Sequence, residues 1–402
     1  MGKKKQKGIK AKETIVQPHS SPSLGPKDKP IGQNQIVPFD LNVVYQALRL
    51  KENKSLIQAI NHRRNQKPLV TLILAERAQL MPDIILPLFE VLSSMDKKDE
   101  IDVFLSTTGG ATEVPWRIVS LIREFCTRYT AIIPFLAMSA GTHIALGANT
   151  LLMSEISTLG PVDPSTRHAL QPKSKDGSPI PVSVEELKNC IKFISQQLED
   201  QDKDGKYSPS DMTIIVGKLF EHIEPLVIGA VERAYALSRL ITQKVLETHL
   251  DSSKEKEKID RIVNKIGGEY FSHSFPITRR DVERELQLKV EKPDPELFEA
   301  MWKLYEYYRG CFSNAQHMTL SMEQRGLKGQ VARADINIIV HVLGYIDALS
   351  DRRVLVQIRQ VGKDPNSDMI RENIVSTRWI KPQGPGLPVT HQSFYECKPP
   401  QQ

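Results

Sequence analysis

Apolar positions along the first half of the chain switch repeatedly between two periods. Val44, Ala47, Leu48, Leu56, Ile57 and Ile60 recur at helical spacing over 40–62. Residues 68–75 are an almost continuous apolar run, the pattern of a strand covered on both faces. Ile84, Ile85, Leu88, Phe89 and Val91 then mark a helix over 82–94, and 101–106 reads as a second strand. A turn at Thr107–Thr112 leads to a helix over 113–128, a third strand over 130–136, a helix of small residues over 140–148 and a short strand over 150–153. The connections are too long for hairpins, so the pattern predicts an α/β fold with mainly parallel strands.

The alternation stops after Met153. Residues 165–210 hold a Pro/Lys/Ser/Gly run from Gln171 to Pro181, a helical pattern over 184–198 and a polar loop, which together predict an insertion near the site. Long helices are expected over 211–250 and 255–267, with a short one over 278–286. Residues 294–310 are helical and aromatic, and 354–361 and 374–380 are the clearest strands of a small α+β extension. Three segments follow: a Lys-rich tail over 1–36 expected to be disordered, a main domain over 37–293, and an extension over 294–402 of unassigned role. No internal repeat is present.

Charge changes this picture little. Six of the 54 Lys and Arg residues lie in residues 1–12, leaving 48 against 48 Asp and Glu, so the body is neutral and specific nucleic-acid binding is not expected. The tail suits at most weak contact with RNA or peripheral contact with an anionic membrane. The apolar stretch Ala131–Met153 contains Pro134, Ser139, His143 and Asn149, and is better read as a buried strand-turn-helix than as a membrane span. Four scattered cysteines form no metal or disulfide pattern, which fits reduced thiols and a cytoplasmic protein. No GxGxxG follows a strand, so a nicotinamide cofactor is not expected, and with no CxxC pair neither is a zinc site.

Candidate chemistry sits at two strand ends. Gly109-Gly110 ends the second strand, where adjacent glycines permit a sharp turn and leave amides uncovered, able to stabilise an oxyanion. In Ala137-Met138-Ser139-Ala140-Gly141-Thr142-His143, an apolar strand bends at Ser139 into a helix of small residues. A nucleophile is one reading of Ser139, and a helix N-cap is the other. From Gly110 to Ser139 is 29 residues, one helix and one strand, the length of a crossover that returns both to one sheet edge.

These two segments, with Leu159-Gly160-Pro161-Val162-Asp163-Pro164 and the stretch Tyr270–Ile277, resemble the serine dehydrogenase proteinase family. That family consists of relatives of signal peptide peptidase A in the ClpP/crotonase superfamily. The resemblance covers roughly residues 68–290. It implies a ClpP/crotonase-type fold and a serine peptidase acting on peptide or protein substrate. Ser139 would be the nucleophile, the Gly110 and Ala140 amides the oxyanion hole, and the assembly a homo-oligomer. The general base stays open. ClpP-type peptidases place a His where this chain has Leu159–Pro164, which contains none. Lys173 and Lys175 lie where signal peptide peptidase A relatives carry a Lys. His143, one helical turn after Ser139, is the geometric rival, and otherwise a half-buried helix His. His168 and His273 are further options, and Asp163 either orients a base or caps its turn. Two other functions fit the same motifs: a scaffold that has lost catalysis, and a crotonase-like acyl-CoA enzyme.

Overall fold

The computed structural model describes residues 41–162 except Arg49, 225–320 except Phe271, 336–363 and 370–382, with isolated positions between 163 and 224. The first helices are α1 (Leu41–Ala47) and α2 (Lys54–Arg63). Then come β1 (Leu69–Leu74), α3 (Ile85–Ser93), β2 (Lys98–Ser106), α4 (Val114–Phe125), β3 (Cys126–Ile133), β4 (Leu136–Ala137), α5 (Ala140–Leu146), β5 (Thr150–Met153) and β6 (Thr158–Leu159). Two-residue strands β7 (Ser165–Thr166) and β8 (Val182–Ser183) pair antiparallel. Helices α6 (Pro225–Glu247) and α7 (Lys256–Asn264), strands β9 (Ile277–Thr278) and β10 (Val290–Glu291), helix α8 (Pro295–Ser313) and strands β11 (Gln316–Leu320), β12 (Ile336–Asp347), β13 (Arg352–Lys363) and β14 (Ile370–Ile380) complete the series.

The central sheet runs β10-β5-β3-β2-β1-β12-β13-β14, with β11 also on β12. The five strands from β10 to β1 are parallel, and β12 joins β1 antiparallel. This is an α/β fold with both faces of the sheet covered. Side chains alternate between two layers, as strand geometry requires. Val70, Leu72, Leu74, Val103, Leu105, Ala131 and Ile133 pack into the cluster shared with α3, α4 and α5. Leu69, Ile73, Phe104, Ile132 and Leu152 face α2 and α8 on the other side. On that side the buried Asp347 carboxylate accepts from Asn53 Nδ2 and Tyr308 OH, each at 2.8 Å, and from Arg352 Nε at 3.0 Å.

Three boundaries differ from expectation. The helix expected over 40–62 is two helices, broken around Lys51–Asn53. The strand expected over 130–136 is split between two sheets. β3 ends at Ile133; Pro134 can donate no ladder hydrogen bond, and Leu136–Ala137 pairs instead with β6, which pairs with β9. The strand β12, which pattern reading passed over, lies centrally beside β1. The apolar stretch Ala131–Met153 is indeed strand, turn, helix and strand, and among the described residues no helix is long and apolar enough to cross a membrane.

Candidate active site

Ser139 occupies the bend between β4 and α5 with φ 51° and ψ −115°. A residue with a Cβ is costly in this region, on the order of 1–3 kcal/mol, and is held there only when its surroundings over-determine the backbone. Those surroundings are visible. Met138 N–H donates to Thr107 O at 2.9 Å, and Gly141 N–H donates back to Met138 O at 2.8 Å. The Thr142 hydroxyl lies 2.8 Å from Ala137 O and 2.7 Å from Gly160 O, and accepts from Gly160 N–H at 3.1 Å. Thr142 thereby ties β4, α5 and the residue after β6 together. The Ser139 side chain makes no capping hydrogen bond to the helix it precedes, so the N-cap reading does not describe it.

The Gly-Gly turn lies directly against this bend. Gly109 has φ +114°, and a Cβ there would sit 2.9 Å from Ser139 Cβ and 3.3 Å from Ala140 N. Gly110 faces the chain before α3, where a Cβ would come within 2.2 Å of Leu80 O. The hydrogen bonds Leu80 N to Gly109 O (2.8 Å) and Ala111 N to Leu80 O (2.9 Å) hold it there. The Gly109 amide is used internally, donating to Thr107 Oγ1 at 3.1 Å. Among the described residues the Gly110 amide makes no hydrogen bond, and neither does that of Ala140, the first residue of α5. The Ala140 amide directly follows Ser139 at the start of α5, and the Gly110 amide follows the glycine that packs on Ser139 Cβ.

The structure does not bring His143 and the Ser139 hydroxyl together. His143 is buried, and its Nε2 lies 3.0 Å from Thr242 Oγ1 and 3.3 Å from Ser238 O on α6. Thr242 spends its one proton on Ser238 O at 2.9 Å, so Nε2 must carry the hydrogen and donate. Nδ1 is then a bare nitrogen, buried and, among the described residues, without a partner. Burial accordingly lowers the His143 pKa to about 4, only weakly offset by the Ser238 carbonyl. Its neighbour His249, whose Nε2 lies 2.8 Å from Leu146 O, is lowered to about 4 as well, again chiefly by burial. His273 is exposed on the turn before β9. Asp163, His168, Lys173 and Lys175 lie outside the described residues. Pattern reading missed Thr107 and Thr142 as supports of the bend. Their role depends on contacts across 30 and 18 residues that leave no local signal.

Residues 42–173 match the family of ClpP-like SDH-type serine proteinases, a span that includes Gly109-Gly110 and Ser139. Two uncharacterized proteins of Methanocaldococcus jannaschii are similar. One is 24% identical over 219 residues, covering 54% of this chain and 63% of its own length. The other is 27% identical over 161 residues, covering 37% and 55%. The chain thus spans less than two thirds of either relative. Similar solved structures include a mutant of the membrane-bound stomatin-specific protease 1510-N, at 13% identity and TM-score 0.33, covering 67% of this chain and 95% of that one. A mutant of ClpP1 from Listeria monocytogenes shows 13% identity and TM-score 0.28, covering 61% and 98%.

Proposed function

We propose that this chain is a serine peptidase in which Ser139 is acylated by a peptide substrate. The observation that carries the reading is the bend itself. A serine with a strained backbone and no capping role packs against a Gly-Gly turn, with two uncommitted amides beside it. The family match over residues 42–173 points the same way. Ser139 Oγ attacks the scissile carbonyl carbon while its proton passes to a base. The carbonyl oxygen, now negative, accepts from the Gly110 and Ala140 amides. The C–N bond breaks, the leaving amine takes the proton from the base, and water then hydrolyses the acyl-enzyme through the same steps.

The base is assigned, in this reading, to Lys173 or Lys175. His143 is a poor alternative, because its Nε2 is engaged by Thr242 and Ser238 and burial lowers its pKa to about 4, which makes it a weak base. A lysine acts as base only when its surroundings lower its pKa towards neutrality. Asp163 belongs to the proposal as an orienting residue. Assembly of several copies and a cytoplasmic location are part of it too, checked by light scattering and by fractionation.

The test is a fluorophosphonate probe applied to the full chain. Wild type labels and Ser139→Ala does not; Lys173→Met or Lys175→Met, whichever removes the base, slows labelling by about 10²-fold or more. Failure of wild type to label, or equal labelling of Ser139→Ala, overturns the proposal. Stabilisation by acyl-CoA esters without labelling would favour a crotonase-like enzyme instead.

A further inference from the structure

A cavity of about 330 Å³ opens on the α8 side of the sheet, at the ends of β1 and β2. Glu76 and Arg77 line it just beyond β1, Ser106 and Thr108 at the end of β2, and Tyr305 and Arg309 on α8. Leu136, three residues before Ser139, also lines it, and Thr108 directly precedes Gly109. Through these two residues the cavity adjoins, along the chain, the two segments that meet at the bend.

The charges around this cavity are not paired with one another. Arg77 Nη2 donates to His341 Nδ1 at 2.8 Å, a neutral acceptor. Burial and the neighbouring Arg77 and Arg359 depress His341, which keeps it uncharged. Arg359, behind it, is engaged with Glu372 at 2.8 Å. Arg309 lies over the Tyr305 ring, 6.0 Å from its centroid. Among the described residues neither Arg77 nor Arg309 has a carboxylate within ion-pair distance, and the Glu76 carboxylate has no cationic partner. Two guanidinium groups and one carboxylate leave a single positive charge over a recess bounded partly by apolar side chains.

We propose that this cavity is a subsite for one carboxylate of a peptide, held by Arg77 and Arg309 next to the scissile position. The guanidinium fork matches a carboxylate with two parallel hydrogen bonds, and a single net positive charge is balanced by a monoanion rather than by a phosphate dianion. The Tyr305 hydroxyl, which is hydrogen-bonded to Ser106, offers one further donor, while the Thr108 hydroxyl donates to Glu76 O at 3.2 Å. The carboxylate is either an acidic side chain or the chain terminus of the substrate. The inference rests on Ser139 being the reacting group only in its word "scissile"; binding itself does not need catalysis.

The test uses full-length Ser139→Ala, which binds without turnover. Fluorescein-labelled hexapeptides carry a central Glu or Gln, each with a free or an amidated C-terminus, and dissociation constants are read by anisotropy. One neutralised form binds about tenfold more weakly than its acidic parent. Loss with Gln identifies a side-chain carboxylate, and loss on amidation identifies the terminus. In the Arg77→Gln/Arg309→Gln variant the acidic and neutral forms bind alike, while Arg309→Lys keeps part of the discrimination. Both arginines are exposed, so the variants fold, as a thermal melt checks. Equal binding of all four peptides to Ser139→Ala overturns the subsite, as does discrimination that survives the double substitution. Failure of wild type to react with the fluorophosphonate overturns the peptidase reading instead and leaves these binding outcomes to be judged by themselves.

Discussion

His143 couples the stability of the helix that carries Ser139 to pH. It lies on α5, buried, with Nε2–H committed to Thr242 and Nδ1 facing no partner. Protonation would put a second N–H, and a full charge, into a pocket where no described residue accepts either. Burial therefore lowers the folded-state pKa from the ordinary 6.5 to about 4. As pH falls, the unfolded chain takes up the proton first. The histidine costs no stability above about pH 6.5, and stability is then lost progressively until about pH 4. At about 1.36 kcal/mol per unit the full loss is about 3 kcal/mol, and about 2 kcal/mol of it has occurred by about pH 5. His143→Gln retains a donor for Thr242 and cannot titrate. Urea unfolding is followed for both proteins at about pH 7.5 and at about pH 5. Wild type loses about 2 kcal/mol more than the variant between the two conditions, whatever the variant costs at neutral pH. His249 and the carboxylates are present in both proteins and cancel. Equal losses would refute the placement of His143 as a neutral, half-partnered core residue.

Other expectations follow from single contacts. Gly109→Ala forces a Cβ to 2.9 Å from Ser139 Cβ at φ +114°. Steady-state peptidase kinetics should show kcat/KM down by about 10²-fold, because a displacement of about 1 Å at a reacting group costs that much. Fluorophosphonate labelling of Gly109→Ala should slow in parallel, and an unchanged rate would argue against the turn-on-bend geometry. Gly110→Ala meets Leu80 backbone at 2.2 Å and should be more damaging to folding, seen as a lower melting temperature. At the opposite end of the strands, Arg64 Nε donates to Asp102 Oδ2 at 2.8 Å and Arg64 Nη1 to Glu291 Oε2 at 2.9 Å. Burial raises the Asp102 pKa despite Arg64, so Arg64→Met leaves a buried carboxylate unpaired and should cost about 3–5 kcal/mol in urea unfolding.

By itself the sequence determined the parts whose signals are local. The continuous apolar runs at Leu69–Leu74 and Thr150–Met153, and the stripe Val114, Ile118, Val119 and Ile122 of α4, declare their secondary structure because burial repeats with the period of the backbone. Gly109-Gly110 and the small residues around Ser139 marked the two backbone bends for a different local reason: sharp or left-handed backbone and close approach exclude larger side chains. Only the tertiary structure decided what depends on partners distant in the chain. The break at Pro134 belongs to β6 and β9 as much as to β3, since Leu136–Ala137 leaves one sheet to pair in another. β12 is central because β1 had a free edge, not because residues 336–347 say so alone. His143 looked available to Ser139 from a spacing of four. Yet a side chain follows the nearest satisfying donor or acceptor, and for Nε2 that was Thr242, 99 residues away. Which amide of the Gly-Gly pair remains free was likewise settled by Thr107, whose hydroxyl takes that of Gly109 and leaves that of Gly110.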